Sequence, residues 1–405
     1  TGNMGSGFGN SRALGPFAVA GGFAPGKALL QSPMNGILWG DKMATDLKGL
    51  KAACGQSIWV DNLSRTLIRD GILRRYIEED GVSGVTSNPS IFQKAIHGSP
   101  YYQEELRRPA ASAERLYESL VVEDLRQACD LLHPTFLASG GDDGLVSWEE
   151  APRLGDDAEA SIAEAERLRS LVQRENLLIK VPATPAGIRA FEALIARGIS
   201  INVTLMFSLG HVRAVFAAYQ RGLSQHIASG GDPRRVKAVA SLFLSRVDTL
   251  VDQRLTAIGS EEALGLQGKA AVAMAKSAYA VYQETFHGQG FAGLRQAGGR
   301  PQYLLWASTS TKNPAYDDLL YVQPLIGPET INTMPEATLK LFREHGRLQC
   351  TLGDGLAEAR ATMARLQALG IDMDGEIAAT LQREGLQLFA DSFEEMLAEV
   401  RRASA

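Results

Sequence analysis

The chain has 405 residues, 45% of them hydrophobic, 21% charged and 7% aromatic, with a formal net charge of -5. This is ordinary globular composition, with length enough for one large barrel or two medium domains. It offers no basic stripe with interleaved aromatics for nucleic acid, and no apolar run near the eighteen or so residues of a membrane span.

Residues 1–42 are glycine-rich and carry no acidic residue before Asp41. They lack the arginine and serine density of a transit peptide and the long apolar core of a secretory signal. We expect a leader, an upstream extension or a cloning remnant outside the fold, with a single domain over 43–405. Within this segment, GGFAPGKA (Gly21 to Ala28) imitates a phosphate-binding loop, but Ala28 stands where magnesium binding needs a hydroxyl. A flexible tail is the better reading.

From Met43 onward, short apolar runs alternate with amphipathic stretches. The expected strands are 57–62, 82–88, 144–149, 176–181, 199–207, 236–244 and 302–308, with a weaker one at 329–334. Between them lie helical patterns such as SRTLIRDGILRRYIEED and EEALGLQGKAAVAMAKSAYAVYQETF, each read as one helix. Eight strands each followed by helix predict an α/β fold, a (β/α)8 TIM barrel. An open doubly wound sheet is the alternative, but no GxGxxG follows a first strand. Residues 336–404 read as additional C-terminal helices. In the last stretch Leu381, Leu386, Leu388, Phe389, Phe393, Met396, Leu397 and Val400 form a packing face, read as structural cover.

Three cysteines, Cys54, Cys129 and Cys350, are far apart and form no CxxC pair. Such a sparse, odd set argues against a disulfide framework and suits a reducing cytosol. The six histidines make no HxxxH or HExxH pattern, so no metal is expected.

Chemistry in such a barrel belongs at the carboxyl ends of the strands. Those positions hold Asp61, Asn88, Glu149, Lys180, Asn202 with Thr204, Ser241 and Ser308. Each alone has a dull explanation: a helix cap or a hydroxyl bonded to backbone. Lys180, within the apolar run NLLIKV, either snorkels from the strand end or is a buried amine kept neutral for attack on a carbonyl. Together the set suits imine chemistry, in which a lysine amine condenses with a ketone and carboxylates move the protons.

Two segments, GVTSNPSIF (84–92) and LLIKVPATPAGI (177–188), resemble the signatures of transaldolases. WVDNLSR, INVTLMFS, LFLSRVD and WASTSTKNPAY are similar to that family's segments around other strands, and the likeness runs from about residue 47 to the C-terminus. It is closest to the longer bacterial members. The resemblance implies a (β/α)8 barrel without cofactor or metal. The implied reaction is transfer of a dihydroxyacetone unit from sedoheptulose 7-phosphate to glyceraldehyde 3-phosphate, giving erythrose 4-phosphate and fructose 6-phosphate. It implies that Lys180 forms the Schiff base and that Asp61 moves the substrate hydroxyl proton. Glu149, through a water shared with Thr204, shuttles protons at the imine. Asn88 and Asn202 hold the dihydroxyacetone hydroxyls, Ser241 and Arg246 lie near the phosphate, and Ser308 is a hydroxyl in the site.

Two departures stand out. Glu150 follows Glu149, and alternation lets only one face the barrel; the phase of VSWE favours Glu149. Where short members carry an arginine after the seventh strand, this chain has Ser310, and we expect Lys312 to supply the second phosphate charge. The implied setting is cytoplasmic, with sugar phosphates as partners and a monomer or homodimer. Two rivals remain: a fructose 6-phosphate aldolase that releases free dihydroxyacetone, and a barrel that has lost catalysis and binds sugar phosphates as a sensor.

Overall fold

The computed structural model describes residues 45–108 and 111–403. The expectations for residues 1–42, with the phosphate-loop imitation, lie outside the described residues. Eight strands form the fold's centre: β1 (Ser57–Val60), β2 (Val82–Thr86), β3 (Leu145–Glu149), β4 (Leu177–Pro182), β5 (Ile201–Met206), β6 (Ala238–Phe243), β7 (Tyr303–Ala307) and β8 (Thr330–Met334). Each pairs in parallel with its chain neighbours, and β8 closes on β1. The (β/α)8 barrel expected from the sequence is therefore the fold. Every residue of these strands is buried, which is why the runs look continuously apolar rather than alternating.

Inside the barrel, packing is tight enough to dictate residue size. A Cβ on Gly84 of β2 would lie 2.3 Å from the Trp59 ring, so glycine there makes room for the indole. The amino-terminal end is sealed by a polar floor around the loop before β3. Asp143 accepts hydrogen bonds from Trp59 Nε1 at 2.9 Å, Ser57 Oγ at 2.5 Å and Ser83 Oγ at 2.8 Å. Beside it, Lys237 Nζ pairs with Asp142 at 2.6 Å and sits 3.5 Å from the centre of the Tyr303 ring. The floor leaves the opposite mouth as the open end.

Three sequence readings need correction. SRTLIRDGILRRYIEED makes two helices, Arg65–Arg69 and Ile72–Asp80, because Gly71 takes a left-handed conformation at φ 70°. EEALGLQGKAAVAMAKSAYAVYQETF likewise divides into Glu261–Leu264 and Ala270–Phe286 around Gly268 at φ 68°. In both cases a positive φ that glycine adopts without steric cost interrupts the helical ladder. Finally, Cys54 and Cys350 are joined by a disulfide across a sequence separation of 296. The end of the helix Gly49–Cys54 and the segment after helix Glu336–His345 both arrive below the barrel, a meeting that cysteine spacing cannot reveal. Cys129 is free and buried. Among the described residues, no helix is long and apolar enough to cross a membrane.

Candidate active site

The open mouth of the barrel holds a cavity of about 920 Å³. Of the ten residues expected to act, eight line it: Asp61, Asn88, Lys180, Thr204, Ser241, Arg246, Ser308 and Lys312. The other two, Glu149 and Asn202, are buried and hydrogen-bonded to cavity residues. Strand register explains the grouping. Glu149 on β3 lies beside Lys180 on β4, which lies beside Asn202 on β5, so the three form one row across adjacent strands.

Lys180 is 4% exposed, and it is not alone. Its Nζ lies 2.9 Å from Glu149 Oε2 and donates to the Ser87 carbonyl at 3.0 Å. The lysine is thus buried against a carboxylate and a backbone carbonyl, not among apolar neighbours alone. Burial pushes the Glu149 carboxyl above the ordinary carboxylate range, against the opposing pull of Lys180. A carboxylate with a raised proton affinity, 2.9 Å from an ammonium, can take the lysine proton when a carbonyl arrives. The doubt over which glutamate faces inward is also resolved. Glu149 meets Lys180, while Glu150 turns outward to Ser161.

Across the mouth, Asp61 accepts from Thr86 Oγ1 at 2.7 Å, and Thr86 shares a 2.5 Å hydroxyl contact with Thr333. Burial raises the Asp61 carboxyl, while the Thr86 hydrogen bond and the charges of Lys180, Lys312 and Lys94 hold it back. Asn202 donates to Ser147 Oγ at 3.1 Å and accepts from Ser241 Oγ at 2.7 Å, which fixes its amide orientation. Asn88 caps the helix Pro89–Gly98 by accepting from Ile91 N–H at 3.0 Å. Its use as a cap leaves the amide NH2 for other partners. Ser308, at φ 55°, contacts Ser245 Oγ at 2.7 Å. Thr204 Oγ1 is buried and has no hydrogen-bond partner among the described residues.

Three cations, Arg246, Lys94 and Lys312, gather at the mouth, which Asp61, Glu336, Asp391 and Glu395 also line. Arg246 and Lys94 make no ion pair among the described residues, and Lys312 Nζ donates only to Ser310 Oγ, at 2.7 Å. Burial lowers the Lys312 ammonium, and the like charges of Arg246 and Lys94 lower it further, so the three cations feel one another. The Arg246 guanidinium lies 5.8 Å from the Phe243 ring centre and 6.0 Å from that of Phe389.

Lys94 is not among the residues the sequence marks for chemistry, and Phe389 is marked there for packing only. A signal for Lys94 existed: it lies one helical turn after Ser90, on the helix that Asn88 caps, and both residues line the cavity. Phe389 belongs to the helix Ala378–Ala403, read from sequence as cover alone. That helix supplies Leu388, Phe389, Asp391, Ser392 and Glu395 to the cavity wall. Ser392 and Ser90 touch at 2.7 Å, and Gln93 donates to Glu395 at 2.6 Å, tying the wall to the helix that carries Lys94.

A lysine that can meet a carbonyl inside a barrel, with carboxylates on two sides to move protons, is the machinery of an imine-forming aldolase. Comparison with known proteins narrows the class. The transaldolase/fructose-6-phosphate aldolase family matches residues 58–400. A transaldolase of Thiobacillus denitrificans is 57% identical over 349 residues, 85% of this chain and 97% of its own length. The transaldolases of Neisseria gonorrhoeae and of a Parafrankia species are each 46% identical. They cover 85% and 89% of this chain, and 97% and 98% of their own lengths. The chain belongs to the transaldolase/fructose-6-phosphate aldolase family.

Proposed function

We propose that this chain is a transaldolase, moving a dihydroxyacetone unit from sedoheptulose 7-phosphate to glyceraldehyde 3-phosphate. The single observation that carries the mechanism is the contact of 2.9 Å between Lys180 Nζ and Glu149 Oε2 inside the barrel mouth. Glu149 takes a proton from Lys180, and the freed amine attacks the ketone carbon of the donor. Through a water held by Thr204 Oγ1, Glu149 returns the proton to the departing hydroxyl, leaving an iminium and water. Asp61 then takes the proton of the hydroxyl on the far carbon of the breaking C–C bond, the carbon that becomes the aldehyde. The bonding electrons flow into the iminium, erythrose 4-phosphate departs, and an enamine remains on Lys180. Glyceraldehyde 3-phosphate enters, the steps run in reverse, and fructose 6-phosphate is released.

Asn88 and Asn202 hold the dihydroxyacetone hydroxyls, and Ser241 and Ser308 add polar contacts. Arg246, Lys312 and Lys94 receive the phosphate common to donor and acceptor. Three cations grouped at the mouth favour a dianion. The reading keeps 43–405 as one catalytic domain in a cytoplasmic setting. Cys350 is exposed, so a reducing cytoplasm would hold the Cys54–Cys350 pair as thiols. Thiol titration of freshly isolated protein checks that point.

Borohydride trapping with a ketose phosphate, followed by peptide mapping, tests the mechanism. Label is expected on Lys180 and absent from Lys180→Ala; label on another lysine refutes it. Incubation with donor alone separates transferase from aldolase, since rapid release of free dihydroxyacetone without an acceptor would sink the transferase reading.

A further inference from the structure

Asp61 stands at the end of β1, and the strands on either side of β1 each bring a hydroxyl to it. β2 and β8 flank β1 in the closed barrel, with Val60 paired to Val85 on one side and to Met334 on the other. Thr86, the last residue of β2, and Thr333, the next-to-last of β8, are each 2% exposed and line the catalytic cavity. Their hydroxyl oxygens meet at 2.5 Å although β1 separates the two strands. A threonine hydroxyl has one proton to donate and lone pairs to accept with. Thr86 uses its proton on Asp61 Oδ1, at 2.7 Å. The proton between the two threonines therefore comes from Thr333, and the bonds run one way, from Thr333 to Thr86 to Asp61 Oδ1. Neither hydroxyl makes a further hydrogen bond among the described residues. The backbone beneath them is fixed: Thr309 Oγ1, after β7, donates to the Thr333 carbonyl at 2.9 Å, and the Asp61 N–H donates to the Met334 carbonyl at 2.8 Å. Asp61 Oδ2 has no hydrogen-bond partner among the described residues.

We propose that Thr333 is a positioning residue for Asp61: by donating to Thr86 it aims the Thr86 hydroxyl at Oδ1, which leaves Oδ2 to meet the substrate hydroxyl. The inference rests on Asp61 as the base of the proposed function. In the cleavage step the substrate hydroxyl proton passes to Oδ2, its O–H bonding pair closes the aldehyde carbonyl, and the C–C pair enters the iminium. Oδ1 can accept from Thr86 whether or not Oδ2 carries the proton. A hydroxyl that itself accepts a hydrogen bond is a stronger donor, and a stronger donor favours the charged carboxylate. That support acts against burial, which raises the Asp61 carboxyl. The Thr86 bond and the charges of Lys180 on β4, Lys312 after β7 and Lys94 on helix Pro89–Gly98 act in the same sense as one another, holding it back. Among the carboxylates, Glu149 on β3 feels the Asp61 charge, while Glu336, which lines the same cavity, is engaged by Asn62 and Tyr76.

Single-turnover cleavage of sedoheptulose 7-phosphate, followed as release of erythrose 4-phosphate, tests this beside borohydride trapping of the imine. Thr333→Val keeps the side-chain shape and removes the hydroxyl. Its cleavage rate is expected to fall about 5- to 10-fold, with the rate of imine formation and the KM for the donor little changed. The acid limb of its cleavage profile moves to higher pH, because a carboxylate with a weaker donor holds its proton more tightly. Thr333→Ser, which brings the hydroxyl back, restores both rate and limb. In a Thr86→Val background, Thr333→Val adds no further loss, since Thr333 acts only through Thr86. A wild-type cleavage rate and limb in Thr333→Val overturn the proposal. An equal fall in imine formation and cleavage overturns it too, being the mark of a merely structural role. Should Thr333→Val misfold, Thr333→Ala also lacks the hydroxyl and is read in the same way. Failure of the transaldolase reading looks different, since the wild type itself would then trap no ketose on Lys180 or release no erythrose 4-phosphate.

Discussion

Arg246 and Phe389 meet at 6.0 Å from guanidinium to ring centre, joining the first turn of helix Ser245–Ile258, which follows β6, to the helix Ala378–Ala403. Phe243 approaches the same guanidinium at 5.8 Å, so the cation is held beside two rings, and it makes no ion pair among the described residues. Aromatic faces position a guanidinium while leaving its N–H donors for a ligand.

Phe389→Ala is therefore expected to weaken phosphate binding. A cation–π contact contributes about 0.5–2 kcal/mol, equivalent to roughly a 2- to 30-fold rise in KM for phosphorylated donors. Lys94→Met should act in the same direction. For both variants the reading is KM and competitive inhibition by inorganic phosphate. A normal inhibition constant would remove these residues from the phosphate site.

Thr204→Val separates catalysis from stability. Its hydroxyl is buried and bonds to no protein group, so an isosteric methyl leaves no protein donor or acceptor stranded. Thermal stability should stay level or rise slightly. The rate of imine formation, followed by rapid borohydride quench, should drop about 10- to 100-fold as the shared water loses a partner. Unchanged imine formation would take Thr204 out of the proton path.

Asp248 gives a pH dependence of the opposite sense to most carboxylates. Burial raises its carboxyl from 3.8 to about 6, although the Ala271 N–H and the Tyr321 hydroxyl both donate to it. The folded state thus binds the proton more tightly than the unfolded chain. Its contribution is present below pH 3.8 and is lost as pH rises to about 6. The melting temperature of Asp248→Asn relative to wild type should climb across that window and then level off. A flat difference would show that the group titrates alike in both states.

Reduction of the Cys54–Cys350 disulfide should lower thermal stability by about 2–4 kcal/mol, since it closes a long loop. It ties elements below the barrel floor, whereas catalysis lies at the opposite mouth. Cys54→Ser should accordingly melt earlier than the oxidised wild type while keeping wild-type kcat and KM. A loss of turnover on reduction would show that the two ends of the barrel are coupled.

Strands such as LLIKVP and YLLWA were legible because burial on both faces leaves a largely apolar run, whereas β8, TINTM, has three polar residues in five and read weakly. The strands' polar last residues marked the mouth in advance, and Asp61, Asn88, Lys180 and Ser308 lie there. What stayed hidden depended on contacts distant in sequence. Nothing in NLLIKV reports that Glu149 stands beside Lys180; that follows from strand register. The periodicity of the last helix shows that Phe389 faces inward, but not that Arg246 is what it faces. Gly71 and Gly268 broke helices because their backbone conformation, rather than their neighbours' hydropathy, decides continuity. Cys54 and Cys350 meet only after the whole barrel has closed between them.

The wall that helix Ala378–Ala403 lends to the cavity also bears on how the protein is made. Lys180 and its strand partners leave the ribosome long before Phe389, Ser392 and Glu395 do. A nascent chain can assemble the barrel while its phosphate pocket still lacks one side. The reactive amine is thus paired with Glu149 early, and the pocket that would bring it a ketose is completed only by the final helix.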